Sequence, residues 1–139
     1  MQFKDYTGDL NHHGDYLNVI KQLEKRSQYI EYVLVDEEDI EFIEKFKDLI
    51  LSKKAKNKWW GTHSSGKSDV YKLRVSPQIF KYLRGFETFC KIINSDYGDR
   101  VENTDFGIND IAFFDNQQMP LLFTTTHEGY ITIREDLMK

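Results

Sequence analysis

Three short runs near the C-terminus, residues 111–114, 120–126 and 130–133, are rich in β-branched and aromatic side chains and are separated only by residues 115–119 and 127–129. Connections this short join antiparallel neighbours, because a parallel pair needs a crossover of a dozen or more residues. A β-meander is therefore expected here, and it commits the chain to a mainly antiparallel sheet. Residues 28–35 carry the same β-branched and aromatic density and read as a central strand. In residues 69–75, Val70, Lys72 and Arg74 alternate with Tyr71, Leu73 and Val75, the period-two pattern of a half-buried strand with one partly basic face. A further strand is expected at Lys58, Trp59 and Trp60, joined to it by a polar turn over residues 62–68.

Helical spacing accounts for most of the remaining apolar residues. Leu17, Ile20 and Leu23 predict a short amphipathic helix ending near Arg26. Ile40, Ile43, Phe46 and Ile50 predict a second one, capped by Asp36, with Lys53, Lys54 and Lys56 at its C-terminal end. Ser76 followed by Pro77 opens a third, whose face runs through Ile79, Leu83, Phe86, Cys90 and Ile93, with Gly85 weakening but not ending it. Residues 94–109 read as a long loop. The expected order is α-β-α-β-β-α-β-β-β, an α+β fold of three helices on a mainly antiparallel sheet, in one domain spanning residues 1–139. A chain of this size buries about two thirds of its unfolded surface.

No apolar run reaches the roughly 20 residues that cross a bilayer, and the first residues lack a signal-peptide apolar region. The single cysteine, Cys90, has no internal disulfide partner and is expected to fill the core. These features point to a soluble cytoplasmic protein without membrane attachment. The net charge of −4 conceals a segregation: residues 1–51 carry −6, residues 52–86 carry +8 and residues 87–139 carry −6. A basic centre between acidic flanks favours charge-guided binding.

Residues 61–68, Gly-Thr-His-Ser-Ser-Gly-Lys-Ser, fit the G-x-x-x-x-G-K-[ST] pattern of a phosphate-cradling loop. That loop works only between a buried strand and a helix N-terminus, whereas a strand-like alternation follows here. A turn between strands is expected instead. His12, His13, His63 and His127 lack the compact spacing of metal ligands, so no metal and no cofactor are expected. His63 with Ser64 or Ser65 and Asp69, or His63 with His127, can be drawn as a hydrolytic site, but no nucleophile elbow supports it.

Two charged clusters remain. Glu37, Glu38, Glu41 and Glu44 lie near the start of the second helix, where carboxylates satisfy amides and oppose the macrodipole; displayed together, they can also meet a basic protein partner. Lys54, Lys56 and Lys58 beside Trp59 and Trp60, with Lys67 downstream, combine phosphate-neutralising charge with stacking surface, as nucleic-acid or phosphorylated-ligand sites do. Both clusters also have ordinary readings, as a solvated helix end and as core tryptophans.

Residues 110–133, from Asp-Ile-Ala-Phe-Phe to Tyr-Ile-Thr-Ile, resemble the closing meander of small bacterial immunity proteins, cytoplasmic inhibitors paired with polymorphic toxins. The resemblance implies a non-enzymatic role: inhibition of a partner protein such as a basic toxin domain. The basic segment from Lys53 to Arg74 departs from that pattern and supports the alternative, nucleic-acid or phosphorylated-ligand binding, with Lys72 and Arg74 joining the lysines and tryptophans named above. A small hydrolytic enzyme is the third reading.

Overall fold

The computed structural model describes residues 2–5, 12–95, 98–103 and 106–138. In chain order the elements are β1 (Phe3–Asp5), α1 (His13–Arg26), β2 (Tyr29–Leu34), α2 (Glu41–Lys45), β3 (Ile50–Trp59), β4 (Thr62–Arg74), α3 (Pro77–Arg84), β5 (Cys90–Ser95), β6 (Gly98–Asn103), β7 (Asp110–Phe114), β8 (Pro120–Thr125) and β9 (Tyr130–Arg134). Seven strands form one antiparallel sheet in the order β1-β9-β8-β7-β2-β4-β3, and β5 pairs with β6 as a separate hairpin. The fold is α+β with a mainly antiparallel sheet. Among the described residues, no helix is long and apolar enough to cross a membrane.

The cross-strand registers sort side chains between two faces. Ile30 stands opposite Leu73 and Phe113, Tyr32 opposite Tyr71 and Ile111, Phe113 opposite Leu122, and Leu122 opposite Ile133. All belong to one core cluster that also takes Tyr16, Val19, Ile20 and Leu23 of α1, Phe42 and Ile43 of α2, and Ile79, Phe80 and Leu83 of α3. The helices therefore share this face, each such burial contributing about 1.5–3 kcal/mol. Tyr32 stacks on Phe42 with ring centroids 4.5 Å apart, and the Tyr16 hydroxyl donates to the Leu83 carbonyl at 2.6 Å. Cys90 is buried in the same core, its thiol pKa pushed up to about 12 chiefly by burial.

The central strand, the first helix ending at Arg26 and the meander follow the expectation, and β2 lies between β4 and β7. Ser76 caps α3 by accepting from the Gln78 amide, with Pro77 at its first turn. Other expectations need correction. The observed order gains β1, β5 and β6. The second helix is only Glu41–Lys45, followed by a 3-10 turn at Lys47–Leu49, and Asp36 does not cap it: Ile40 holds that position and is 41% exposed rather than buried. Asp36 instead accepts from the Glu38 amide in a local turn. Residues 50–59, whose lysines read as a helix end, pair with β4, because a few tenths of a kcal/mol of helix preference yields to a hydrogen-bonded ladder.

Gly85 does end α3. Its amide turns back to Tyr82 and Leu83, and the helically spaced Phe86 and Cys90 reach the core from irregular chain and from β5. Residues 94–109 hold β6 rather than a continuous loop, although residues 96–97 and 104–105 lie outside the described residues. Finally, residues 62–68 belong to β4, and the turn is confined to Trp60 and Gly61.

Candidate functional site: a lysine-lined groove under a hairpin arch

The β3–β4 hairpin outruns its neighbour, because β2 pairs with β4 only between Asp69 and Arg74. Beyond that point the hairpin's own ladder is irregular. Lys56 pairs with Ser68 and Lys58 with His63, so Asn57 alone faces Ser64, Ser65, Gly66 and Lys67. Surplus residues on one strand bend a ribbon and strengthen its twist. The bend carries the tip over the sheet face opposite the helices.

Contacts from Trp59, Trp60 and Gly61 hold the tip there. The Trp59 indole Nε1 donates to Asp110 Oδ2 at 2.9 Å, and the Thr126 amide fixes that carboxylate by donating to its Oδ1 at 2.8 Å. Trp60 packs on Phe3 and Phe123 with centroids 6.4 and 5.9 Å away. Gly61 has φ +83, and a Cβ there would lie 2.7 Å from Thr125 Oγ1. Burial is the main influence on Asp110 and raises its pKa, against the hydrogen bonds from Thr126 and Trp59.

Under this arch the period-two alternation points one set of side chains inward. Glu31 of β2 stands opposite Lys72 of β4, which stands opposite Ser52 of β3, and Lys54 stands opposite Val70. Two hollows result. One, of about 500 Å3, is lined by Glu31, Lys56, Lys58, Trp59, Trp60 and Gly61. The other, of about 180 Å3, is lined among others by Tyr29, Glu31, Lys54, Lys56 and Lys72. They share Glu31 and Lys56, so they form one groove with Glu31 on its floor. Tyr29 lies flat on Phe114 with centroids 4.7 Å apart and carries the Lys72 ammonium over its other surface at 4.3 Å from the ring.

Glu31 is half-buried, and burial raises its pKa while Lys56, Lys72 and Lys54 act in the opposite direction. Three ammonium groups influence this carboxylate, yet among the described residues none is within ion-pair distance of it and no hydrogen bond reaches it. A partly desolvated acid left unpaired in a cleft is a common signature of a functional position.

Another hollow elsewhere on the molecule, of about 520 Å3, is similar in size to the larger of these, and its chemistry is different. Arg134 there is paired with Asp115 and Asp136, each at 2.7 Å, and Arg26 reaches Asp136 at 3.3 Å. Those charges satisfy one another and tie the C-terminal turn to α1 and to the β7–β8 connection. The arch groove is the better candidate because its charges are not satisfied internally.

Of the residues singled out in the sequence, Lys54, Lys56, Lys58, Trp59 and Trp60 come together in the groove. Lys67 is exposed on the bulge and does not line it. The G-x-x-x-x-G-K-[ST] segment leads into a strand and opens no helix. Glu37, Glu38, Glu41 and Glu44 are exposed on the turn before α2 and on α2 itself, apart from the groove. His63 is exposed on β4, Asp69 pairs with Lys53 at 3.6 Å, and His127 pairs with Glu128 at 3.6 Å. No group of three His, Cys, Asp or Glu able to hold a metal ion occurs among the described residues.

Glu31, Tyr29 and Asp110 were not singled out in the sequence. The signal for Glu31 was present, as the one charged residue inside an otherwise apolar and aromatic central strand. Compared with known proteins, the chain matches no family model, no curated protein and no solved structure.

Proposed function

We propose that this protein is a non-enzymatic binding protein whose arch groove takes an anionic, phosphate-bearing ligand. The observation that carries the reading is the convergence of Lys54, Lys56, Lys58 and Lys72 with Trp59 and Trp60 around one groove. Edge-strand lysines ordinarily serve to block sheet-to-sheet association. Here Lys54, Lys56 and Lys58 instead line hollows large enough for a ligand, beside a tryptophan that is 43% exposed at Trp60. Charge and stacking surface together are what phosphate-bearing ligands require.

A second reading keeps the inhibitor or immunity-type role against a basic protein. It is supported by Glu37, Glu38, Glu41 and Glu44, which are exposed and make no ion pair among the described residues. One experiment separates the two. Binding of labelled single-stranded DNA and RNA is measured by fluorescence anisotropy at two salt concentrations, for the parent protein, for Lys54→Glu with Lys56→Glu, and for charge reversal to lysine at Glu37, Glu38 and Glu41. The groove reading expects affinity that falls steeply with salt, a loss of about tenfold or more in the lysine variant, and no loss in the glutamate variant. Absence of binding at low salt removes the groove reading. Capture of a basic protein by the parent and by the lysine variant, but not by the glutamate variant, supports the inhibitor reading.

A further inference from the structure

We infer that the groove is a single-stranded nucleic-acid site in which Glu31 reads guanine. The inference rests on the anionic-ligand reading above and adds the ligand's class and the residue that selects it.

The first ground is spacing. Lys54 and Lys56 are two residues apart on an extended strand and so stand about 6.7 Å from each other along β3. That matches the separation of successive phosphates in an extended single strand, whereas a rigid duplex is too wide for hollows of about 500 and 180 Å3. The second ground is the aromatic lining. Tyr29 at one end of the groove is covered on its two faces by Phe114 and Lys72, so the open stacking surface is that of Trp60, partly exposed at the other end. Bases stack on such rings whatever their identity, so this part of the site is sequence-tolerant.

The third ground is Glu31, which a purely electrostatic anion site does not need. A carboxylate on the floor of a cationic groove repels phosphate and weakens simple polyanion binding. It is useful when the ligand carries hydrogen-bond donors as well as negative charge. A base unstacked from its neighbours offers its Watson–Crick edge to a protein, and ionised carboxylates accept hydrogen bonds from base amino groups. Guanine presents N1–H and the N2 amino group side by side, two donors matching the two oxygens of one carboxylate. Cytosine and adenine present one amino group there. Uracil and thymine present a single N3–H between two carbonyl oxygens, which a carboxylate opposes. The two shared lining residues fit this division of labour: Lys56 faces the backbone, and Glu31, bonded to no described residue, is left for the base.

The test is equilibrium titration of intrinsic tryptophan fluorescence with heptauridylate and with the heptamers UUUGUUU, UUUAUUU and UUUCUUU at low salt. Parent protein and Glu31→Gln are compared after circular dichroism has shown both folded. Expected for the parent is about a tenfold advantage for UUUGUUU over heptauridylate, since one bidentate base contact discriminates on about that scale. In Glu31→Gln this advantage falls below about twofold, while heptauridylate binds as well as before or better because a negative charge has left the groove. Equal binding of all four heptamers, or a guanine preference that survives in Glu31→Gln, overturns the inference and leaves the anionic-ligand reading standing. Absence of binding to every heptamer overturns both. Saturable binding of a hexaglutamate peptide in place of the heptamers would put an acidic protein segment in the groove and also overturn the inference.

Discussion

Trp59 is the residue on which the arch depends most directly. Its indole N–H ends on Asp110 Oδ2, and Asp110 is buried with its pKa raised by that burial. Removing the donor leaves a buried carboxylate with the Thr126 amide and side chain as its remaining hydrogen-bond donors. Trp59→Phe, which keeps an aromatic ring, is expected to cost about 1–3 kcal/mol. The sign of the pH dependence follows from the raised pKa: the folded state holds the Asp110 proton more tightly than the unfolded state. Its ionisation therefore opposes folding, and the opposition develops as pH rises from the ordinary aspartate value through the raised one. Losing a donor that stabilises the charged form makes this worse. Urea denaturation should show a Trp59→Phe deficit that is larger at neutral pH than near pH 3; a deficit independent of pH would mean that the indole acts by packing alone.

Among the elements, the β3–β4 hairpin is the one whose shape was least predictable and matters most. Its length, the four-against-one bulge opposite Asn57 and the turn at Trp60 and Gly61 together place a ribbon over a sheet face that would otherwise be open. Gly61 is required twice over, by its φ of +83 and by the 2.7 Å approach that a Cβ would make to Thr125 Oγ1. Gly61→Ala should cost about 1–2 kcal/mol for the left-handed backbone alone. The cost should be local, because the helices share with β2, β4, β7, β8 and β9 a core that the tip does not enter. Hydrogen exchange is expected to accelerate at β3 and β4 near the tip while amides of α1 and β2 keep their protection. Uniform acceleration across the chain would show that the arch is part of the global folding unit.

On the scale of the whole molecule, the Arg134 cluster joins α1, the β7–β8 connection and the C-terminal turn. Burial is the largest single influence on Asp115 and Asp136 and would raise their pKa values, but it is outweighed by the sum of the opposing contributions, from Arg134 and the Met119 and Gln117 amides at Asp115 and from Arg134 and Arg26 at Asp136, so both are lowered. A depressed folded-state pKa contributes stability that is present above the unfolded value and lost as pH falls through the folded one. The Arg134 and Asp115 side chains are 5% and 14% exposed, so the pair is largely shielded while bordering the open hollow. Arg134→Met should therefore destabilise the protein by about 1–3 kcal/mol at neutral pH, because Asp115 is left without its cation and keeps only the Gln117 and Met119 amides. The difference should shrink as pH falls from the ordinary aspartate value through the depressed folded-state values, as the carboxyls are protonated in both proteins. Thermal unfolding of both proteins across pH checks this, and a constant difference would assign the loss to packing of the Arg134 stem.

Local sequence by itself determined that β2 is a strand, that α1 ends near Arg26, that Ser76 and Pro77 start a helix and that residues 111–133 form a meander. Residue type and short connections did this for β2 and the meander, a cap and a proline for α3, and helical spacing for α1, whose buried face writes a 3.6 repeat into the sequence. It also determined that lysines and tryptophans meet near residue 59, since they are neighbours in the chain. The tertiary structure alone decided the rest. Helical spacing at Phe86 and Cys90 proved compatible with irregular chain and a strand, because a buried residue needs only to reach the core and not to reach it along one helix. Lysines at residues 53–58 were as suitable for a helix end as for an edge strand until pairing with β4 chose between them. Glu31 acquired its setting only when β3 and β4 folded across β2 and brought Lys54, Lys56 and Lys72 around it, an arrangement set by sheet register and a bulge, which no window of neighbouring residues encodes.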